Sequence, residues 1–218
     1  MFGYSGRVSY WEHRKPVQRA RAVDVAHIAG ASVSLLDEGG PPALTVRAVA
    51  ARLGVAPASL YSRVESVNDL FDLALDDALG RDPIMIRALD ETDVAELMLT
   101  YYRHLVRHGW ACQVIAMRAP RGPNYLRLSE RLCTLLAETG RPDPLGTAYA
   151  LSNFVIGSAA TTAVADDERT APIDADLAPL YARLHRDHQA DGEAIVVAGL
   201  VALQRHPPPP PNPPPSVL

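Results

Sequence analysis

Residues 45–64 read Thr45-Val46-Arg47-Ala48-Val49-Ala50-Ala51-Arg52-Leu53-Gly54-Val55-Ala56-Pro57-Ala58-Ser59-Leu60-Tyr61-Ser62-Arg63-Val64. Two short segments with helical apolar spacing flank Gly54. Thr45 is placed to cap the first, whose stripe is Val46, Val49, Ala50 and Leu53. Gly54 can take the positive φ that a sharp turn needs. Pro57 suits a first helical position, which needs no backbone N–H, and a second short helix is predicted over Ala58–Val64. Ala50 is small where two helices must approach, and Val55 and Leu60 can plug the angle between them. This is a helix-turn-helix, in which the second helix lies in the major groove and the first crosses the backbone.

The same reading extends outward. Val25, Ile28, Ala29, Ser32, Leu35 and Leu36 recur at three- and four-residue spacing in a helix predicted over Val17–Asp37, ended by Gly39-Gly40-Pro41-Pro42. Another is predicted over Val67–Leu79, with Leu70, Phe71, Ala74, Leu75 and Ala78 on one face. Residues 80–93 read as a connector with one apolar turn. Further helices are predicted at Val94–His108, Ala111–Met117, Asn124–Thr139, Leu145–Ala165, Leu177–His188 and Asp191–Arg205. No stretch reads as a β-hairpin, so the chain is expected to be all-α. Four zones follow: a flexible basic arm (1–16), the DNA-reading unit with its linking helix (17–79), a helical domain (80–205) and a proline-rich disordered tail (206–218).

Composition agrees. Hydrophobic residues make 48% of the 218-residue chain and aromatics only 6%. Ala, Leu and Val carry the apolar load, which favours helices over a β-sandwich. The net charge of −4 and pI near 6.0 argue against a simple basic nucleic-acid binder. Position reverses that inference. Residues 1–22 hold five basic residues against Glu12 alone, and residues 1–65 carry +3 while the remainder carries −7. A basic front on an acidic back points to a polyanion partner for one end. Met1–Lys15 has no apolar core of a secretory signal. Cys112 and Cys133 make no disulfide framework, so a reducing cytoplasm is expected. Ala148–Ala165 carries Ser152, Asn153, Ser158, Thr161 and Thr162 and is too short and polar to span a membrane.

The pattern T-x-x-x-V-A-x-x-L-G-V-x-x-x-x-L-Y-x-x-V, followed by Leu70-Phe71, resembles the DNA-binding domain of the TetR family of transcriptional repressors over roughly residues 20–79. Arg121–Leu132 (RGPNYLRLSERL) resembles a segment of the tetracycline-repressor-like C-terminal domains of actinobacterial members. The resemblance implies that Tyr61 contacts a backbone phosphate and that Arg47 reaches DNA from the first helix of the motif. It implies a groove-facing surface of Pro57, Ala58, Ser59 and Ser62, where Ala58 offers a methyl-type contact and the serines can bond several bases. Arg63 stands where the family often has His and can bind phosphate. Thr45 can cap, contact phosphate, or both. Two positions depart from the pattern: Val67 replaces a frequent lysine and Ala56 a frequent capping Ser or Thr. The basic residues Arg14, Lys15, Arg19 and Arg21 can compensate by tracking phosphates or entering a minor groove, or be solubilising charge.

The resemblance also implies a C-terminal helical domain for ligand binding and dimerisation. The small-residue run Ala148–Ala165 and the Asp191–Arg205 helix, apolar almost all round over Ala194–Leu203, are expected to pair across a twofold axis, as the family's last long helices do. An intrachain core is the competing reading. Effector contacts are expected among Tyr101, His104, Trp110, Met117, Asn124, Tyr125, Tyr149, Asn153 and Phe154, polar or aromatic residues on otherwise apolar helices. Asn153 heads this set because burying it would demand a partner. Family ligands are often flat polycyclic drugs or natural products, so the partners implied are a palindromic double-stranded operator, a small hydrophobic effector and a second copy of the chain.

Other classes have less behind them. The pairs His104/His108 and His185/His188 can each share a helix face, but no carboxylate or cysteine stands at conventional ligand spacing, so no metal is expected. Cys112 and Cys133 form no CxxC. No P-loop, GxGxxG or GxSxG is present, and no cofactor or catalytic residue is expected. A helical enzyme and an architectural DNA-binding protein without effector stay as alternatives.

Overall fold

The structure, a computed structural model, describes residues 9–13, 23–187 and 191–205. Every regular element among them is helical. A 3-10 turn at Tyr10–Glu12 precedes α1 (Val25–Ala43), α2 (Val46–Arg52), α3 (Pro57–Leu60), α4 (Val67–Arg81), α5 (Pro83–Glu91), α6 (Val94–Arg107), α7 (Trp110–Met117), α8 (Pro123–Glu138), α9 (Pro144–Thr170), α10 (Pro179–Asp187) and α11 (Gly192–Arg205).

Local chemistry sets the ends of these helices. Asp24, Thr45, Ser66, Asp82 and Asp93 cap α1, α2, α4, α5 and α6, each accepting a hydrogen bond from a first-turn amide. Pro57, Pro83 and Pro123 open α3, α5 and α8. Gly40 takes φ +65° and breaks α1 before its last turn, at the predicted Gly-Gly-Pro-Pro stop.

The helices of the N-terminal unit close over Ile28, Leu36, Val49, Ala50, Leu60, Val64 and Leu70, all essentially inaccessible to solvent. Burial of a leucine such as Leu60 is worth roughly 1.5–3 kcal/mol. α4 packs on α1 and continues into contact with α7 and α8. Leu70 to Leu75 are buried without a break, so this middle stretch of α4 is enclosed on all sides and joins the two halves of the molecule. Behind it, α6, α8 and α11 pack on α9. Gly199 of α11 lies against the Phe154 ring of α9, where any side chain would collide with that ring. No helix among the described residues is long and apolar enough to cross a membrane.

Three expectations are corrected here. The 80–93 connector is mostly helix: Asp82 caps α5, Pro83 opens it, and Met85, Ala88 and Leu89 bury its inner face. The predicted flexible arm includes residues 9–13, which are instead docked on α4. The second helix of the motif ends at Leu60, and Tyr61–Arg63 continue as a turn closed by the Arg63 and Val64 amides on the Leu60 carbonyl. The proline tail lies outside the described residues.

Candidate nucleic-acid interface

The α2–α3 turn is built as the motif requires. The Val55 amide donates to the Ala50 carbonyl at 3.0 Å and the Gly54 amide to the Ala51 carbonyl at 3.2 Å, with Gly54 at φ +66°. This wraps the C-terminal carbonyls of α2 and turns the chain into α3. Ala50 and Leu60 are fully buried at the crossing. Thr45 Oγ1 accepts the Ala48 amide at 3.0 Å, so its capping role is met while the residue stays exposed.

That packing leaves a continuous outward surface. Arg47, Pro57, Ala58, Ser59, Tyr61 and Ser62 are all exposed, and Tyr61 keeps 52% of its surface accessible. Ser62 Oγ donates to the Ser59 carbonyl at 2.8 Å, which orients its lone pairs outward. Arg52 is committed to Glu38 through two hydrogen bonds, at 2.9 and 2.6 Å. Arg63 departs from its expected role. It is only 7% exposed and its Nε donates to the Val23 carbonyl at 3.1 Å, so it ties the start of α1 to the end of the motif and is not presented to phosphate. Arg14, Lys15, Arg19 and Arg21 lie outside the described residues.

The expected effector contacts divide into separate groups. Tyr101, His104, Trp110 and Tyr125 are buried among α6, α7 and α8. The Tyr101 hydroxyl donates to that of Tyr125 at 3.4 Å, and burial pushes both phenols well above their ordinary pKa, so both stay neutral. Trp110 Nε1 donates to Asp37 at 2.6 Å, and His108 Nδ1 meets the same oxygen at 2.7 Å. Asn124 packs on Asp76 of α4, with its amide N–H at 2.8 Å from Oδ1 and its Nδ2 at 2.8 Å from Oδ2. Met117, Tyr149 and Asn153 are exposed and Phe154 is half-buried against α11. The expectation that Asn153 is buried and seeks a partner is therefore not met within one chain.

A cleft of about 500 Å³ opens elsewhere, between the end of α6, α7 and α9. Val106, Gly109, Cys112, Gln113, Ala116 and Thr162 line it, with Ala159 and Ala160. None of the nine expected contacts does. Its walls are mostly apolar with two polar handles, Gln113 and Thr162, and Thr162 shares a 3.0 Å hydrogen bond with the Tyr102 hydroxyl. Burial raises the Cys112 pKa and keeps it a thiol. Most of its lining is small residues, whose spacing in the sequence carries no signal of a cleft. No group of three His, Cys, Asp or Glu among the described residues is arranged to hold a metal ion.

Sequence reasoning also missed an acidic ladder. Asp69, Asp72 and Asp76 lie at three- and four-residue spacing on one face of α4, all buried. Three carboxylates on one face, interleaved with Leu70, Phe71, Leu73, Ala74 and Leu75, are a readable signal that partners must come from elsewhere in the chain. Which partners they are is a matter of tertiary structure.

The fold and this surface define a helix-turn-helix regulator with a second helical domain. The signature of the bacterial regulatory proteins of the tetR family matches residues 28–73, and that of the tetracyclin repressor-like C-terminal domain matches residues 91–186. The chain belongs to the TetR family of transcriptional regulators. An HTH-type transcriptional regulator of Saccharopolyspora erythraea is 38% identical over 141 residues, covering 63% of this chain and 60% of that protein. The HTH-type transcriptional repressor DrrR1 of Streptomyces coeruleorubidus is 30% identical over 141 residues, covering 61% of this chain and 51% of the repressor. The chain thus spans half to three-fifths of the length of these relatives. Among solved structures, the TetR family protein ActR of Streptomyces coelicolor, in complex with (S)-DNPA, superposes with a TM-score of 0.66 at 25% identity, over 84% of this chain and 96% of ActR.

Proposed function

We propose that this chain is a ligand-responsive repressor that binds a palindromic operator as a homodimer and leaves it when a small hydrophobic or polycyclic effector binds. The observation that carries this reading is the exposed Arg47/Pro57–Ser62 surface on a closed helix-turn-helix. A single such module makes few contacts, so twofold dimers reading half-sites roughly 34–36 Å apart are the usual solution. On this reading Tyr61, Arg47 and Thr45 hold phosphates, and Ala58, Ser59 and Ser62 read base edges. Such a role places the protein in the cytoplasm with the DNA, and it calls for no catalysis and no cofactor.

Two outward apolar strips support a dimer. Leu145, Tyr149 and Val164 of α9 and Ile195, Val197 and Val201 of α11 are all exposed in the single chain. A second copy is the economical cover for them, and Asn153 would then lie beside that seam. We assign the effector to the α6–α7–α9 cleft, whose size and apolar lining suit a fused-ring compound. Family members support that class: ActR has been solved with actinorhodin, and a TetR variant of Acinetobacter baumannii with minocycline. Only a ligand that prefers the DNA-free arrangement can release the operator. A coupling of about 1–3 kcal/mol would change operator affinity roughly 5–150-fold.

Selection of duplexes from a random pool tests the reading. The protein should enrich an inverted repeat. Arg47→Ala should weaken binding to it about tenfold and flatten the slope of log K against log salt by about one unit per subunit. Tyr61→Phe should weaken binding by a similar factor through the lost phosphate hydrogen bond. Binding at full affinity by the double variant would remove this surface from DNA. Thermal-shift screening of polycyclic aromatics, followed by release of the selected duplex, tests the effector. Turnover of a bound compound would speak for an enzyme instead.

A further inference from the structure

Residues 9–13 lie upstream of both family matches, and nothing in the DNA-reading surface uses them. They are nevertheless held firmly. Ser9 caps the 3-10 turn, and Tyr10 buries its ring to 5% exposure. The Tyr10 amide donates to Asp72 Oδ2 at 2.9 Å, and Ser9 Oγ donates to the same oxygen at 3.3 Å. Arg118, just past α7, takes the rest of that carboxylate: its Nε donates to Oδ1 and its Nη2 to Oδ2, both at 2.8 Å. The Asp72 and Arg118 side chains are 4% and 5% exposed. One turn back, His13 Nε2 lies 3.2 Å from Asp69 Oδ1. One turn on, Asp76 accepts the Asn124 and Tyr125 amides at the start of α8.

Three segments therefore meet at one buried carboxylate: the N-terminal turn, α4 and the stretch between α7 and α8. A buried carboxylate needs its donors, and removing one partner of such a pair is strongly unfavourable because the charge left behind stays out of water. The Arg118 and Tyr10 contacts are thus mutually supporting. If Arg118 withdraws, Asp72 keeps only weaker, neutral donors and gains by turning toward water, which unseats Tyr10. If the turn detaches, the Arg118–Asp72 pair is opened to solvent and weakened.

We propose that Ser9–His13 is a strap that fastens α4 to the α7–α8 stretch through the shared Asp72 carboxylate, making Tyr10, Asp72 and Arg118 positioning residues for DNA reading. This rests on the repressor reading for its consequence, while the strap itself is testable without DNA. It gives the C-terminal helices a hold on the N-terminal segment in addition to their direct contact with α4.

Hydrogen exchange on the full chain tests the strap first. Arg118→Met should speed exchange of the Tyr10 amide at least tenfold and leave the α2 amides unchanged, whereas Arg118→Lys should restore part of the protection. Tyr10→Ala, outside the α-helices, should in turn speed exchange at Asn124 and Tyr125. Unchanged exchange at the far side in both directions would overturn the proposal. If Arg118→Met does not fold, the Tyr10→Ala result alone decides it. Affinity for the duplex selected by the wild-type chain then gives a double-variant cycle. Tyr10→Ala with Arg118→Met should be no weaker than the worse single variant, a coupling of fivefold or more, while multiplicative losses would overturn the link to DNA reading. If no duplex is selected at all, the repressor reading fails and the exchange data still judge the strap.

Discussion

Asp82 shows how much one side chain can organise. It caps α5 by accepting the Ile84 and Met85 amides, and its second oxygen takes His104 Nδ1 at 3.0 Å and Arg107 Nη1 at 2.9 Å. Burial pushes the Asp82 pKa up, but these donors outweigh it and leave the carboxyl below its usual range. His104 is the converse. Burial dominates the pull of Asp82 and lowers its pKa from 6.5 to about 4, so the ring is a neutral donor to an ionised partner. In the unfolded chain the same ring takes its proton near the usual value. Between about pH 4 and 6.5 the unfolded state therefore binds more protons, and stability rises with pH. The contribution is complete above the upper value and is lost as pH falls toward the lower one, roughly 3 kcal/mol in all. Urea midpoints should fall between pH 7 and 5, and His104→Gln should flatten that dependence. An equal slope in the variant would assign the proton uptake to another group.

The elements were the most legible part of the chain. Gly54 marked the turn, Thr45 and Pro57 the starts of two helices, and Gly40 the end of α1, because each of these residue types has a backbone or capping property that works locally. A Cβ at Gly54 would meet no atom within 4 Å, so the demand for glycine there is one of backbone conformation alone. Gly54→Ala should cost about 1–2 kcal/mol of stability, seen as a lower urea midpoint with unchanged slope. No loss would mean that the turn relaxes to a negative φ. What the sequence hid depends on distant partners. Arg63 reads as a phosphate binder until Val23 is placed beside it, and residues 9–13 read as a loose arm until Asp72 is. Residues 80–93 looked like a connector because only one short apolar cluster breaks their polar run, although Asp82-Pro83 is a sound helix start.

At the scale of the whole molecule, the small-residue helices do two things at once. Gly199 and Phe154 bring α11 onto α9 within the chain, and the remaining apolar faces of both helices stay uncovered. The small-residue run of α9 and the apolar run of α11 were legible in the sequence, but intrachain and interchain use could not be told apart, since both need the same residues. Tyr149, 63% exposed, is the point at which to separate them. Tyr149→Glu should shift a dimer to monomer in sedimentation velocity at micromolar protein, with the fold intact. A dimer of unchanged mass would move the interface elsewhere. The chain's only two tryptophans bear on this larger architecture as well. Trp11 belongs to the turn that sits on α4, and Trp110 donates across to Asp37 of α1. Both indoles therefore stand where the DNA-reading end meets the rest of the protein, so the chain's ultraviolet emission is a built-in, label-free gauge of how its two ends are joined.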